Sequence, residues 1–528
     1  MKPASYLLAL GVMLAATFTL AAAEERPEPE EPPAEEIHLA VHPAEVPRPA
    51  MEIQLLPPLL EQRPGNAAPL YMKAFMLLAQ ADAPEEAVEQ ADEWLAMPPE
   101  DLPREEVWEA LDRFHGALHY AEMAARRSRC EWELPIHEEE NIFELMLPEL
   151  SSARNLARVI ALRTRLHIAK GDYGEAIRNL QTGYAMAQHV AEQPTLVSGL
   201  VGLAIANMMT DQLEMLIQAP GVPNLYWTIT ALPDPMIDLR KAFQLEAGTV
   251  RLLFPGFEEA LHEDVPPEHW RVLLEDVLRM TMAWNVMAQR EGEPPEEEDI
   301  NIEEFIEKAY PVAKREVAER RKHRERERQE MLEHIENLKR EIKGLEQEGN
   351  DEEADELRRH VEELSRHAEP GRPIDEMSHA EVVVRHVFAT YEELRDDMFK
   401  WFHVPYWQAR PAIEKADRHM KEVAKEKEVV PLASTLLPAI GACHLRVAES
   451  QRRTAALRCV EAIRLFAAEH EGRLPERLDE IKNVPLPINP VTGKPFEYHR
   501  EHREIDSAVL VADGPADSRR VYRLKLAR

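Results

Sequence analysis

The stretch Ser151-Ser-Ala-Arg-Asn-Leu-Ala-Arg-Val-Ile-Ala-Leu-Arg-Thr-Arg-Leu-His-Ile-Ala-Lys-Gly-Asp-Tyr173 decides the fold. Leu156, Val159, Leu162, Leu166 and Ala169 recur every three or four residues and so share one helical face. Lys170-Gly171-Asp172 breaks the pattern, and Tyr173, Ala176, Ile177, Leu180, Tyr184, Ala187 and Ala191 restart it. Two helices joined by so short a turn lie antiparallel with their apolar stripes facing. A third segment, Leu196 to Met209, is apolar nearly all round and predicts a buried helix in which Gly199 and Gly202 admit a close neighbouring backbone. Outward from this core, helices are expected at 66–80, 84–96, 104–126 and 140–150 before it, and at 236–262 and 267–290 after it.

A chain of 528 residues can bury a large core and form two or three domains. Only 19 Gly against 30% charged residues favours helices and leaves few glycine-rich loops to cradle phosphate. The formal charge of −34 repels a phosphate backbone and argues against nucleic acid as the partner. Residues 1–23 read as a secretory signal: Lys2, an apolar run from Tyr6 to Leu20, then Ala21-Ala22-Ala23, either cleaved or kept as an anchor. The apolar run 196–209 is short for a bilayer, so the mature chain is expected to carry no integral membrane span. The expected location is the periplasm or cell envelope. Of the three cysteines, Cys443 and Cys459 on one helix would stand ~24 Å apart, too far to bridge. Cys130 could pair with one of them, and at least one thiol stays free.

The segment 24–60 is rich in Pro and Glu and reads as a flexible tether. A helical body is expected over 61–312. From 313 to 370, Met331, Ile335, Leu338, Ile342 and Leu345, then Ala354, Leu357, Val361 and Leu364, are spaced three and four apart around Gly349-Asn350-Asp351. That spacing predicts an antiparallel coiled-coil hairpin protruding from the body. A helical return follows over 371–430, within which Phe399-Lys-Trp-Phe-His-Val-Pro-Tyr-Trp407 is expected to be aromatic packing. The last segment, 431–528, predicts a long helix over 440–470 and short strands at 496–499, 508–512 and 521–526. The fold class is therefore mainly α: a multi-helix body, the hairpin and a small C-terminal α+β module.

Gly171-Asp172-Tyr173 with Ala176 resembles a tetratricopeptide repeat, which places Gly-x-Tyr at the turn and a small Ala in the second helix. The helical body is expected to bind its partner by helix-in-groove docking or by peptide capture. A C-terminal series resembles the major pseudopilin of type II secretion. It comprises Ala455 to Phe466, Glu471-Gly-Arg-Leu-Pro475, Asn489-Pro-Val-Thr-Gly-Lys-Pro-Phe-Glu-Tyr498 and Val511-Ala-Asp-Gly514. That likeness implies a long helix leading to a small antiparallel sheet. Asn489 stands where that family has Asp. The whole arrangement resembles exported bacterial helical proteins.

His115 and His119 lie four apart with Glu122 three further on, so one helical face presents two imidazoles and a carboxylate to a metal. Cys130 or His137 would supply a fourth group. The same residues also read as polar flanks of the core stripe Val107, Leu111, Phe114, Leu118 and Ala121. Asp513 and Asp517 read either as calcium ligands of the pseudopilin-like loop or as a solvated turn. Lys314 to Arg328 holds eight basic and four acidic residues and reads as a docking patch or as a solvated helical shoulder. Neither a phosphate loop nor a His-Glu-x-x-His is present, and Cys443-His444 point ~100° apart on a helix. No catalytic residue and no cofactor are assigned. The expectation is a non-catalytic scaffold with protein partners, of unspecified oligomeric state. The alternatives are a metal-dependent envelope enzyme using His115 and His119, or an accessory of a secretion or pseudopilus-type machine.

Overall fold

The computed structural model describes residues 35–527 except 82–83, 135–146, 255, 258–259, 261–264, 290–300, 349, 368–371, 502–505 and 516–517. The expected export signal, the tether as far as residue 34, and His137 and Asp517 lie outside the described residues. In chain order the main elements are β1 (Glu35–Val41), β2 (Arg63–Asn66), α1 (Ala68–Ala79), α2 (Pro84–Ala96), α3 (Arg104–Asp112), α4 (His115–Ala125), β3 (Arg127–Arg129), α5 (Pro148–Lys170), α6 (Tyr173–Ala191), α7 (Leu196–Ile217), α8 (Tyr226–Thr230) and α9 (Arg240–Leu253). They continue with α10 (Pro267–Gln289), α11 (Ile302–Glu348), α12 (Asp351–His367), α13 (His379–Phe399), α14 (Tyr406–Glu426), α15 (Leu432–Leu436), α16 (Pro438–Glu469), β4 (Glu497–Arg500), β5 (Ser507–Ala512) and β6 (Arg520–Leu526). The protein is mainly helical with a small sheet.

The described residues form two compact units. One comprises 35–253, Phe399–Glu414 and 439–527; the other comprises Phe254–Met398 and Lys415–Pro438, within their described residues. In the first, α5, α6 and α7 pack together as the periodicity requires, with Leu156, Val159, Leu166, Leu180, Tyr184 and Met209 buried. Asp172 caps α6 by accepting from the Glu175 N–H, and Thr195 caps α7 by accepting from the Ser198 N–H. At Gly202 the helices come so close that a Cβ would stand 2.6 Å from the Ala187 carbonyl oxygen. Any side chain there overpacks the core, typically at ~1–3 kcal/mol. α7 runs on past Met209 to Ile217, so the 196–209 reading was too short. The full helix is long and apolar enough to cross a membrane, with 67% of its most apolar window buried inside the protein.

The tether reading fails from Glu35 onward. Ile37, Leu39 and Val41 alternate with the exposed Glu36, His38 and Ala40, and this period-2 pattern adds β1 parallel to β6 as an outer strand of the sheet β1-β6-β5-β4. Leu39 and Val41 are buried, and Arg523 of β6 pairs with Glu36 at 2.8 Å. Residues 42–56 then thread along the unit, with Ala44 N–H donating to the Arg464 carbonyl and the Gln181 amide to the Gln54 carbonyl. The last 90 residues are likewise no separate module. Arg453 of α16, almost fully buried, pairs with Glu214 at 2.7 Å and Asp211 at 2.5 Å of α7. Those two carboxylates, which made the apolar run look terminated, are the partners of the tail helix.

In the second unit, Ile335, Leu338 and Ile342 of α11 bury against Ala354 and Val361 of α12, with Met331, Leu345, Leu357 and Leu364 packed around them. Phe257 stacks on Phe388 at 3.8 Å, and the Arg385 guanidinium lies 4.9 Å over the buried Trp270 ring. The basic run of α11 is largely occupied: Lys314 pairs with Asp375, Arg320 with Glu393 at 2.7 Å, Lys322 with Glu319 and Arg328 with Glu325.

Candidate functional site

The tail helix α16 carries His444, Val447, Gln451, Thr454 and Arg458 at intervals of three and four, so they share one face. That face floors a cleft of about 620 Å³ in the first unit. One wall is the proline-punctuated segment between α8 and α9, including Pro233, Asp234, Pro235 and Asp238. Another is Phe402 to Trp407, and Pro487, Ile488 and Pro490 close the rim. Prolines fix φ, so these walls are pre-organised. The expected aromatic segment thus lines the cleft as well as packing. Phe402 stacks on Phe243 at 4.0 Å, and the His444 ring meets Phe402 and Tyr406 edge-on at 5.1 and 5.3 Å.

Trp407 is partly exposed and rests on Gly493, whose φ of +70° only glycine adopts readily. A Cβ there would come within 2.5 Å of the indole. The turn that presents Gly493 is built on the buried Asn489. Its Oδ1 accepts from the Val491 N–H, its backbone bonds to Lys494 and Gly493, and its Nδ2 donates to the Asp513 carbonyl at 2.7 Å. The last bond needs an amide at this position, because an ionised carboxylate has no proton to donate. Asn489→Asp is expected to cost ~1–3 kcal/mol, read as a lower urea midpoint, whereas an unchanged midpoint would show the bond to be dispensable.

The charged groups are mostly committed. Asp238 is held below the usual carboxylate range, chiefly by the fork from Arg240 at 2.6–2.9 Å. Asp234 accepts from Gln451 at 2.5 Å. Burial lowers His444 to about 4, so its imidazole is neutral at pH 7, and its Nδ1 has no hydrogen-bond partner among the described residues. Burial pushes the neighbouring Cys443 thiol up to about 12, so this adjacent pair is tuned away from a thiolate–imidazolium couple. Among the described residues, Arg458 has its hydrogen-bond and ring interactions with Tyr226, its Nη2 lying 3.3 Å from the phenol oxygen and its guanidinium 5.5 Å over the ring.

The metal candidates are not brought into a site. His115 and His119 are exposed on α4, and Glu122 pairs with Arg163 at 2.7 Å. Cys130 is buried, and burial raises its thiol to about 12. All three cysteines are unbridged. Among the described residues, no group of three or more His, Cys, Asp or Glu side chains could hold a metal. Asp513 gives its carbonyl to Arg452 and Asn489, and Arg452 also donates to the Ser518 carbonyl. A guanidinium therefore occupies main-chain oxygens of this loop, and Asp517, the second calcium candidate, lies outside the described residues. Sequence reasoning missed His444, Trp407 and Arg458 as cleft residues. The three-and-four spacing on α16 was legible, but the walls come from segments some 40 and 220 residues away. No family model matches the chain, and neither a curated protein nor a solved structure matches it.

Proposed function

We propose that this chain is an exported, non-catalytic binding protein of the bacterial cell envelope that holds an extended polypeptide segment in the cleft over α16. The observation that carries this reading is the cleft itself. Its volume of about 620 Å³ suits a few residues, and it combines an exposed indole, stacked aromatics, rigid proline walls and few free charges. Aromatic grooves of this kind bind extended or proline-rich chain because little entropy is lost on docking. The tetratricopeptide-like pair α5–α6 supports the wall, the pseudopilin-like tail supplies the floor, and the α11–α12 pair, read as a coiled coil, offers a second contact surface. No observation favours the metal-dependent enzyme, and the secretion-machine reading rests on likeness of the tail alone.

Site-specific photocrosslinking in the full chain tests this. With p-benzoylphenylalanine in place of the exposed Ile488, adducts to polypeptide from a bacterial envelope fraction are expected. They should vanish on adding Gln451→Trp, which fills the cleft, and be absent from the same probe at the exposed Leu60. Equal labelling at Ile488 and Leu60, or labelling indifferent to Gln451→Trp, would refute the reading.

A further inference from the structure

Four arginines sit on α16 within thirteen residues, and three of them are buried against oxygens built to receive them. Arg452 donates to the carbonyls of Asp513 and Ser518. Arg453 has the carboxylates of Glu214 and Asp211. Arg464 has Glu461 at 2.6 Å, with the carbonyls of His42 at 2.9 Å and Val222 at 2.8 Å. Arg458 is the exception. It lines the cleft, it has no ion-pair partner among the described residues, and its buried Nε has no hydrogen-bond acceptor. Among the described residues its Nη2 reaches the Tyr226 oxygen alone, whose own proton goes to the Pro485 carbonyl.

This is notable in a chain with 97 acidic residues against 63 basic ones. Acids are plentiful, yet the two lining the cleft already have partners other than Arg458, Asp238 in Arg240 and Asp234 in Gln451. A partly desolvated guanidinium without an anion is costly, and a planar carboxylate is the group its fork matches best. Most of the lining is apolar or aromatic, with Ser450, Gln451 and Thr454 as neutral polar groups on the helix itself, so one negative charge on a largely apolar body fits. Burial keeps His444 neutral, so it adds no second positive charge.

We infer that Arg458 receives the C-terminal carboxylate of a polypeptide whose last residues, apolar or aromatic, lie between Trp407, Phe402 and Ile488. This rests on the proposed cleft reading and adds the chemical end of the chain that enters. It also places the free end at the floor, with the rest of the chain leaving past the proline rim.

The test uses the full-length chain and two immobilised random hexapeptide libraries, alike except that one ends in free carboxylates and the other in C-terminal amides. Capture from the carboxylate library is expected to exceed that from the amide library at least tenfold. Arg458→Gln should bring it down to the amide level, and Arg458→Lys should keep part of the preference. Arg446→Gln, which removes a cation of the same helix that pairs with Glu449 outside the cleft, should leave the preference intact. Equal capture by both libraries, abolished by Gln451→Trp, would overturn the carboxylate assignment and leave the cleft reading standing. No capture from either library would overturn both. A preference that survives Arg458→Gln would overturn the role of this residue. Competition by N-acetylphenylalanine as strong as that by a phenylalanine-terminated hexapeptide would show a small-acid site and overturn the assignment to a polypeptide end.

Discussion

Arg464→Met is expected to destabilise the first unit by ~3–5 kcal/mol, seen as a large fall in its urea midpoint. Both Arg464 and Glu461 have fully buried side chains, one turn apart on α16 and 2.6 Å from each other. Burial raises the Glu461 carboxyl, while Arg464 and the Leu225 N–H at 2.7 Å pull it back. The pair therefore stands in place of water for both ions. Removing the guanidinium leaves a buried carboxylate without its cation and strips the carbonyls of His42 and Val222 of a donor. Because those carbonyls belong to the segment after β1 and the loop before α8, the loss also frees the strap that brings β1 to the sheet. Adding Glu461→Gln should recover part of the loss, since a neutral amide needs no counter-ion. If Arg464→Met alone cost under about 1 kcal/mol, the ionic hub would not hold this unit together.

Acid should unfold the wild type by way of buried neutral histidines. His189, whose Nδ1 lies 2.9 Å from the Tyr71 hydroxyl, and His444 are each lowered to about 4 by burial. In the unfolded chain both titrate near 6.5, so between the two values the unfolded state binds more protons. Their contribution is present in full above about pH 6.5 and is lost as pH falls toward 4. At ~1.4 kcal/mol per pH unit per proton, the loss is up to ~3 kcal/mol for each. The double variant His189→Gln/His444→Gln removes both protons from the balance. Raised carboxyls such as Glu246, at about 7, act in the opposite sense but are common to both proteins and cancel in the comparison. The difference in stability between wild type and variant should therefore shrink steeply as pH falls from 6.5 to 4.5. A difference that stays constant over that range would show that these rings titrate normally in the fold.

Helix periodicity made most of the architecture legible. The α5–α6 turn at Gly171, the apolar α7 and the α11–α12 seam all follow from spacing, because such helices bury one stripe and little else decides their partners. What failed was composition used in place of pattern. Averaged over 24–60, prolines hid the alternation of Ile37, Leu39 and Val41 that makes β1. Asp211 and Glu214 read as the end of an apolar helix because their partner Arg453 lies about 240 residues away. The cleft was invisible for the same reason: each segment reads as ordinary core or loop until the fold brings α16, the proline segment and Trp407 together. His115 and His119 had the right spacing for a metal, but spacing cannot say that Glu122 is taken by Arg163.

The most direct test of peptide capture over α16 is hydrogen exchange on the full chain, with and without saturating peptide recovered from the carboxylate library. Slowed exchange is expected at 230–240, 402–407 and 444–458, with little change elsewhere. Protection confined to the helical pair 302–367, with exchange in those three segments unaltered, would contradict it.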